Sequence, residues 1–325
     1  MKQVVGAVFL GLTVAITSCS SQPSSNGTDI TWGGPKNISM LPILAQEQGY
    51  FAEAGLETER QDIQTGKQTL DTLISGNIDF GIVVEPTIAT IKFQPGTDIK
   101  VIAVIQEKFD DAIVARKDKG INSAKDLEGK TLGLTYTTTA QMFAVEYLQS
   151  QGVDLDKVEM INMPPPAIQA AVVNGELDAG SMWQPFRYNT ADTLGDNGIV
   201  MNDPIYKAYA IVAVRADFAE ENPEAIESFL QALIEAEEYL EENPQEAQEI
   251  LAREIDIPLE VLQLAWEEYE VGVSMSGGLL DTITKQGEWV ASTEPEFQDQ
   301  PLPDYEETIA PEFLKGIDSQ RVEDF

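Results

Sequence analysis

Along the chain, short apolar, β-branched runs alternate with longer stretches whose apolar residues recur at helical spacing. Thr31-Trp32 ends a first strand, Ile38 to Gly49 reads as a helix closed by glycine, and Leu56 to Ile63 as a second strand. A helix from Gly66 to Ser75, a turn at Gly76-Asn77 and a strand over Ile78 to Val84 follow, and the period then begins again. That alternation predicts an α/β architecture, with mostly parallel sheets and flanking helices. Further on, Asn222-Pro223 and Asn243-Pro244 mark helix starts, and Ile226, Phe229, Leu230, Leu233 and Leu240 fall on one helix face.

The pattern contains an internal repeat. Gly76, Asp79, Gly81 and Pro86 match Gly175, Asp178, Gly180 and Pro185, each pair 99 positions apart, with Ile78 facing Leu177. Gly55 and Gly152 also close an apolar helix before the next strand in each half. Two similar lobes follow. The run Ala112-Ile113-Val114-Ala115-Arg116 recurs as Ala210-Ile211-Val212-Ala213-Val214-Arg215 at the two edges of the middle segment, where the chain would enter and leave an inserted lobe. These runs are expected to be two crossover strands forming a hinge. The first lobe is then 29–108 and 211–325, and the second 109–210.

The N-terminus carries an address. Met1-Lys2 is positive, Val4 to Ile16 is apolar, and Thr17-Ser18 precede Cys19. The apolar run is shorter than the roughly 20 residues a membrane-spanning helix needs. Residues 1–18 therefore read as an export signal of the lipoprotein kind, with Cys19 the lipidated first residue. The Ser-, Gln- and Asn-rich stretch 19–28 is expected to be a flexible tether.

Composition narrows the chemistry. The 325 residues carry 20 Lys plus Arg against 55 Asp plus Glu, a formal charge of -35, which disfavours nucleic acid as a partner. With no histidine and one cysteine, His-based triads, His metal ligands, thiolate zinc sites and disulfide frameworks are excluded. The acidic C-terminal third contains no Asp-x-Asx-x-Asx-Gly calcium loop. It reads as a solvated face that aids solubility.

Four segments, in order, then carry a resemblance. They are Asn37 with Leu41 to Phe51 and Ala54-Gly55-Leu56; Ser75-Gly76-Asn77-Ile78-Asp79-Phe80-Gly81; Asp126 to Gly133; and Leu177 to Phe186. Together they resemble the substrate-binding proteins of ABC importers that serve nitrate, taurine, alkanesulfonates and thiamine pyrimidine precursors. The resemblance implies a type II periplasmic-binding-protein fold whose two lobes, joined by two crossover strands, close over a small ligand. It also implies a monomeric, non-enzymatic receptor without cofactor or metal, anchored by lipid on the periplasmic or extracellular face and partnered by a membrane permease. The pyrimidine synthases on this fold use pyridoxal phosphate, a histidine and a cysteine-rich segment, which this chain lacks. An adhesion lipoprotein is a third reading, and it would not need a repeated cleft unit.

Ligands of such sheets bind at the carboxyl ends of strands. That rule selects Asn37 after the first strand, which serves equally as a helix cap, and Gly66-Lys67 after the second, where Lys67 could equally face solvent. Tyr136, Thr137 and Thr138 open a helix after Leu132 to Leu134, a place suited to an oxoanion. At the repeat tips, Glu85 aligns with Gln184 and Val84 with Trp183. Glu85 is expected to face the cleft and meet a ligand ammonium, as in a zwitterion such as taurine, while Trp183 and Phe186 supply apolar surface. Tyr206 lines the cleft or braces the hinge.

Overall fold

The computed structural model describes residues 27–323. The expected signal segment 1–18, Cys19 and most of the tether lie outside the described residues. Thr28, the last tether residue, instead opens the first strand, and its amide donates to Gly55 O at 2.9 Å.

The strands are β1 (Thr28–Gly34), β2 (Leu56–Asp62), β3 (Phe80–Val84), β4 (Ile99–Lys108), β5 (Ala112–Arg116), β6 (Thr131–Leu134), β7 (Glu159–Asn162), β8 (Ala179–Met182), β9 (Gly198–Met201), β10 (Ala208–Arg215) and β11 (Tyr269–Ser274). They form a six-stranded sheet, ordered β11-β4-β10-β3-β1-β2, and a five-stranded sheet, ordered β7-β6-β8-β5-β9. In each sheet four strands share one direction, β1 to β4 in the first and β6 to β9 in the second; β10 and β11 oppose them in the first sheet and β5 in the second. The mixed character arises where the chain leaves one sheet and returns, since a strand that doubles back beside its neighbour pairs antiparallel.

The repeat is real in three dimensions. In the first sheet Asp79 accepts from the amide and hydroxyl of Thr31 at 2.8 and 2.9 Å, and in the second Asp178 accepts from those of Thr131 at 3.0 and 3.1 Å. Gly76 and Gly175 adopt φ of 75° and 79°, the left-handed turn that a Cβ would disfavour. The two similar apolar runs belong to this repeat: Ile211 pairs with Val83 in one sheet, as Ala112 pairs with Met182 in the other. Each run ends in an arginine that donates to carbonyls at the end of the repeated helix or of the turn that follows it. Arg215 reaches Leu73 O and Ile78 O, and Arg116 reaches Val172 O and Val173 O.

This corrects the expected hinge. β5 lies wholly within the second sheet, and the outgoing strand is β4, whose last residue, Lys108, pairs with Ala208 at the start of β10. The chain passes between sheets over 109–111 and 202–207, and β10 begins before the expected boundary at 211.

Burial follows the sequence periodicity. The helix Pro223–Glu242 buries Ile226, Phe229, Leu230, Leu233 and Leu240. Phe229 lies between Phe80, 4.0 Å away and nearly parallel, and Phe51, 5.0 Å away. The second lobe has a smaller core, built around Ile113, Leu132, Phe143 and Leu148.

Candidate functional site

A cleft lies between the sheets, and nearly every wall of it is a strand end. From the first lobe come Pro35, Asn37 and Ile38 after β1, Gln64 and Thr65 after β2, Val84 at the end of β3, and Lys108 at the end of β4. From the second come Thr135, Thr138 and Thr139 after β6, Pro165 after β7, and Trp183 after β8. The space, including its open mouth, is about 470 Å³.

The polar groups are mostly neutral. Thr138 precedes the helix Thr139–Ser150 without capping it, because its hydroxyl donates to Thr135 O at 2.6 Å. The amides of Thr139 and Ala140 have no intrahelical partner by the geometry of any helix, so the positive end of that helix is free to meet an acceptor. Among the lining residues Lys108 is the one charged side chain. Its ammonium contacts Asp110 Oδ1 and lies 3.3 Å from Asp111 Oδ2, with all three side chains almost fully buried. Burial works against the lysine's charge, but Asp110 and Asp111 outweigh it and raise its pKa. Burial raises the Asp111 pKa, Lys108 opposes this and Asp110 adds to it.

The residues selected from the sequence divide into groups. Asn37, Thr138 and Trp183 line the cleft. Thr137 and Gly66 stand at its edge, where Thr87 Oγ1 reaches across to Thr137 O at 3.5 Å and would lie 2.6 Å from a Cβ added at Gly66. Gln184 and Phe186 support Trp183 from behind. The Gln184 amide donates to Asp110 Oδ2 at 3.2 Å, and the Phe186 ring meets the indole edge-on at 6.3 Å.

The remaining selections lie outside the cleft lining, and for Glu85 this is a correction. Lys67 pairs with Asp71 along its own helix at 2.8 Å and stays solvent-facing, and Tyr136 is exposed outside the cleft. Glu85 does not face the cleft either: it is fully buried, contacts the Tyr206 hydroxyl, and accepts from Tyr209 N at 2.9 Å and Gln286 Nε2 at 3.2 Å. Tyr206 thereby braces the return crossover. Desolvation raises the Glu85 pKa to about 7, with the hydrogen bonds from Tyr206, Tyr209 and Gln286 opposing it. The reason for the difference is one residue of geometry, since Val84 ends the strand and takes the cleft position while Glu85 already belongs to the helix Glu85–Ile91 and turns inward.

Sequence reasoning missed Lys108 with Asp110 and Asp111, and Gln64, whereas Thr65, Thr135 and Thr139 belong to the two candidate anion-binding turns, Thr65 to Gln68 and Thr135 to Thr139, without being the residues selected from them. A signal existed: the polar residues Gln106-Glu107-Lys108 and Asp110-Asp111 interrupt otherwise apolar sequence between Val101 and Ala115.

Two mixed α/β sheets with their strand ends converging on an interlobe cleft define a type II periplasmic-binding-protein fold. The crystal structure of the periplasmic aliphatic sulphonate binding protein from Escherichia coli shares it, with a TM-score of 0.74, 17% identity, and coverage of 86% of this chain and 97% of that one. The family model described as NMT1/THI5 like matches residues 37–247, and the chain belongs to that family. Among relatives, the taurine-binding periplasmic protein of Escherichia coli K12 is 27% identical over 209 residues, 62% of this chain and 63% of that one. The formylaminopyrimidine-binding protein of Halalkalibacterium halodurans is 21% identical over 223 residues, 67% of each chain.

Proposed function

We propose that this protein is an extracytoplasmic solute receptor that captures a small polar ligand of the taurine or alkanesulfonate type between its lobes and delivers it to an ABC importer permease. The observation that carries this reading is the convergence of strand ends from both sheets on one cleft, with the free helix end at Thr138–Ala140 and the Trp183 indole both contributed by the second lobe. A sulfonate would accept from the amides and hydroxyls of that turn, and the carbon chain would lie along Trp183, Pro35 and Val84. Export and lipid attachment at Cys19 would hold the receptor at the membrane face; Cys19→Ser should then release it to the soluble fraction. Among the described residues no helix is long and apolar enough to cross a membrane.

A second reading, a thiamine pyrimidine precursor as ligand, is favoured by the flat apolar walls of Trp183, Pro35 and Pro165. A thermal-shift screen followed by calorimetry, with taurine, ethanesulfonate, nitrate and an aminopyrimidine, tests both. A rise in melting temperature with taurine or ethanesulfonate supports the first reading, and with the pyrimidine alone the second. No shift with any of them overturns both.

A further inference from the structure

Lys108 reaches the cleft, yet it is not a free cation. Of its three N–H donors, one goes to Asp110 and one to Asp111, which leaves a single donor for a ligand. The carboxylates are fixed in turn: Asp110 Oδ2 accepts from Gln184 N at 3.2 Å and the Tyr269 hydroxyl at 3.0 Å, and Asp111 Oδ1 accepts from the Thr139 hydroxyl at 3.0 Å. Neither can swing into the cleft to meet an ammonium, so their influence on a ligand is exerted through the field. That field carries an excess of one negative charge over the lysine. It is placed behind the one cation of the cleft wall and against the end of the helix where an anion would dock, in surroundings too dry to screen it.

We propose that Asp110 and Asp111 set the charge specificity of the cleft, offsetting Lys108 so that it serves as a single hydrogen-bond donor and ligands of zero net charge are preferred over simple anions. The proposal rests on the receptor reading above. The burial that raises the Asp111 pKa is consistent with two carboxylates crowded onto one ammonium. A lysine meant to clamp an anion would be left with uncompensated charge, and the two aspartates remove it.

Taurine and ethanesulfonate share a sulfonate and a two-carbon chain and differ by the ammonium, so calorimetry on this pair isolates net charge. Wild-type protein should bind taurine, or a neutral aminopyrimidine, about tenfold or more tightly than ethanesulfonate. Asp111→Asn should strengthen ethanesulfonate by about tenfold while changing taurine less than threefold. Asp110→Asn gives a second variant should the first melt early. A purely structural role for the aspartates would weaken both ligands alike, and that result, or a wild-type preference for ethanesulfonate, would overturn the proposal while leaving the receptor intact. Failure of taurine, ethanesulfonate and the pyrimidine alike to bind wild-type protein would overturn the receptor reading, and this proposal with it.

Discussion

The two repeated units share a scaffold and differ at their tips. Helix, left-handed glycine, aspartate clamp, strand and arginine-tethered return strand are common to both. At matching positions, however, Phe80 stands where the second lobe has Ala179, Val84 where it has Trp183, and Glu85 where it has Gln184. The scaffold residues satisfy backbone demands that are identical in the two lobes, so they recur. The tips answer to different neighbours: a thick aromatic core under β3, a ligand cleft beyond β8, and a buried polar node at the return crossover. Substitutions that exchange residues between the units are therefore the sharpest probes of the comparison.

The largest effect is expected at the core end. Phe80 is fully buried and stacks on Phe229. Phe80→Ala installs the residue of the second lobe, and it should cost about 3–5 kcal/mol, because the aromatic cluster of the first lobe cannot collapse into the gap. Urea unfolding measures this. A cost under ~1 kcal/mol would mean that the two strand environments are equivalent after all.

Next in size is the polar node. The folded pKa of Glu85 is raised to about 7 from 4.5, so between those values the folded state holds a proton that the unfolded state has released. Its contribution to stability is complete below pH 4.5 and is lost as pH rises toward 7, by about 3 kcal/mol in all. Glu85→Gln, the residue of the second lobe, should flatten this part of the stability curve between pH 5 and 8. Parallel curves for variant and wild type would show that the node does not titrate there.

Trp183→Val, which copies Val84, should weaken ligand binding by roughly tenfold to a hundredfold through loss of the indole surface. The unfolding midpoint should barely move, because the indole is only half-buried. Unchanged affinity by calorimetry would exclude Trp183 from the ligand contact.

How far the sequence carried these inferences depends on what each level of structure requires. Periodicity and glycine placement are local demands, so the strands, the helices and the repeat with its Gly76 and Gly175 turns were legible. The partner of Ala112-Ile113-Val114 was not. An apolar run reads the same as a crossover or as an inner strand, and only the register with Ala179 to Met182 distinguishes them. The strand-end rule found Asn37, Thr138 and Trp183, but it could not resolve which of two adjacent residues turns outward, and so it chose Glu85 over Val84. Lys108 escaped because its ion pairs depend on the crossover, which no local pattern encodes.

The smallest effect separates the two lysines near the cleft. Lys67 and Lys108 both lie at or just beyond strand ends of the first lobe, and from composition alone either could meet an anion. Lys67 pairs with Asp71 four residues along the exposed face of its helix, where solvent screens the charge and the side chain gives up rotamer freedom to hold the pair. Lys108 is buried with two carboxylates and touches the cleft. Lys67→Ala should therefore change the affinity for taurine less than about twofold and leave its salt dependence unaltered. A larger loss, confined to low ionic strength, would mean that Lys67 steers the ligand from the mouth of the cleft and that charge on the first lobe acts outside the buried triad as well.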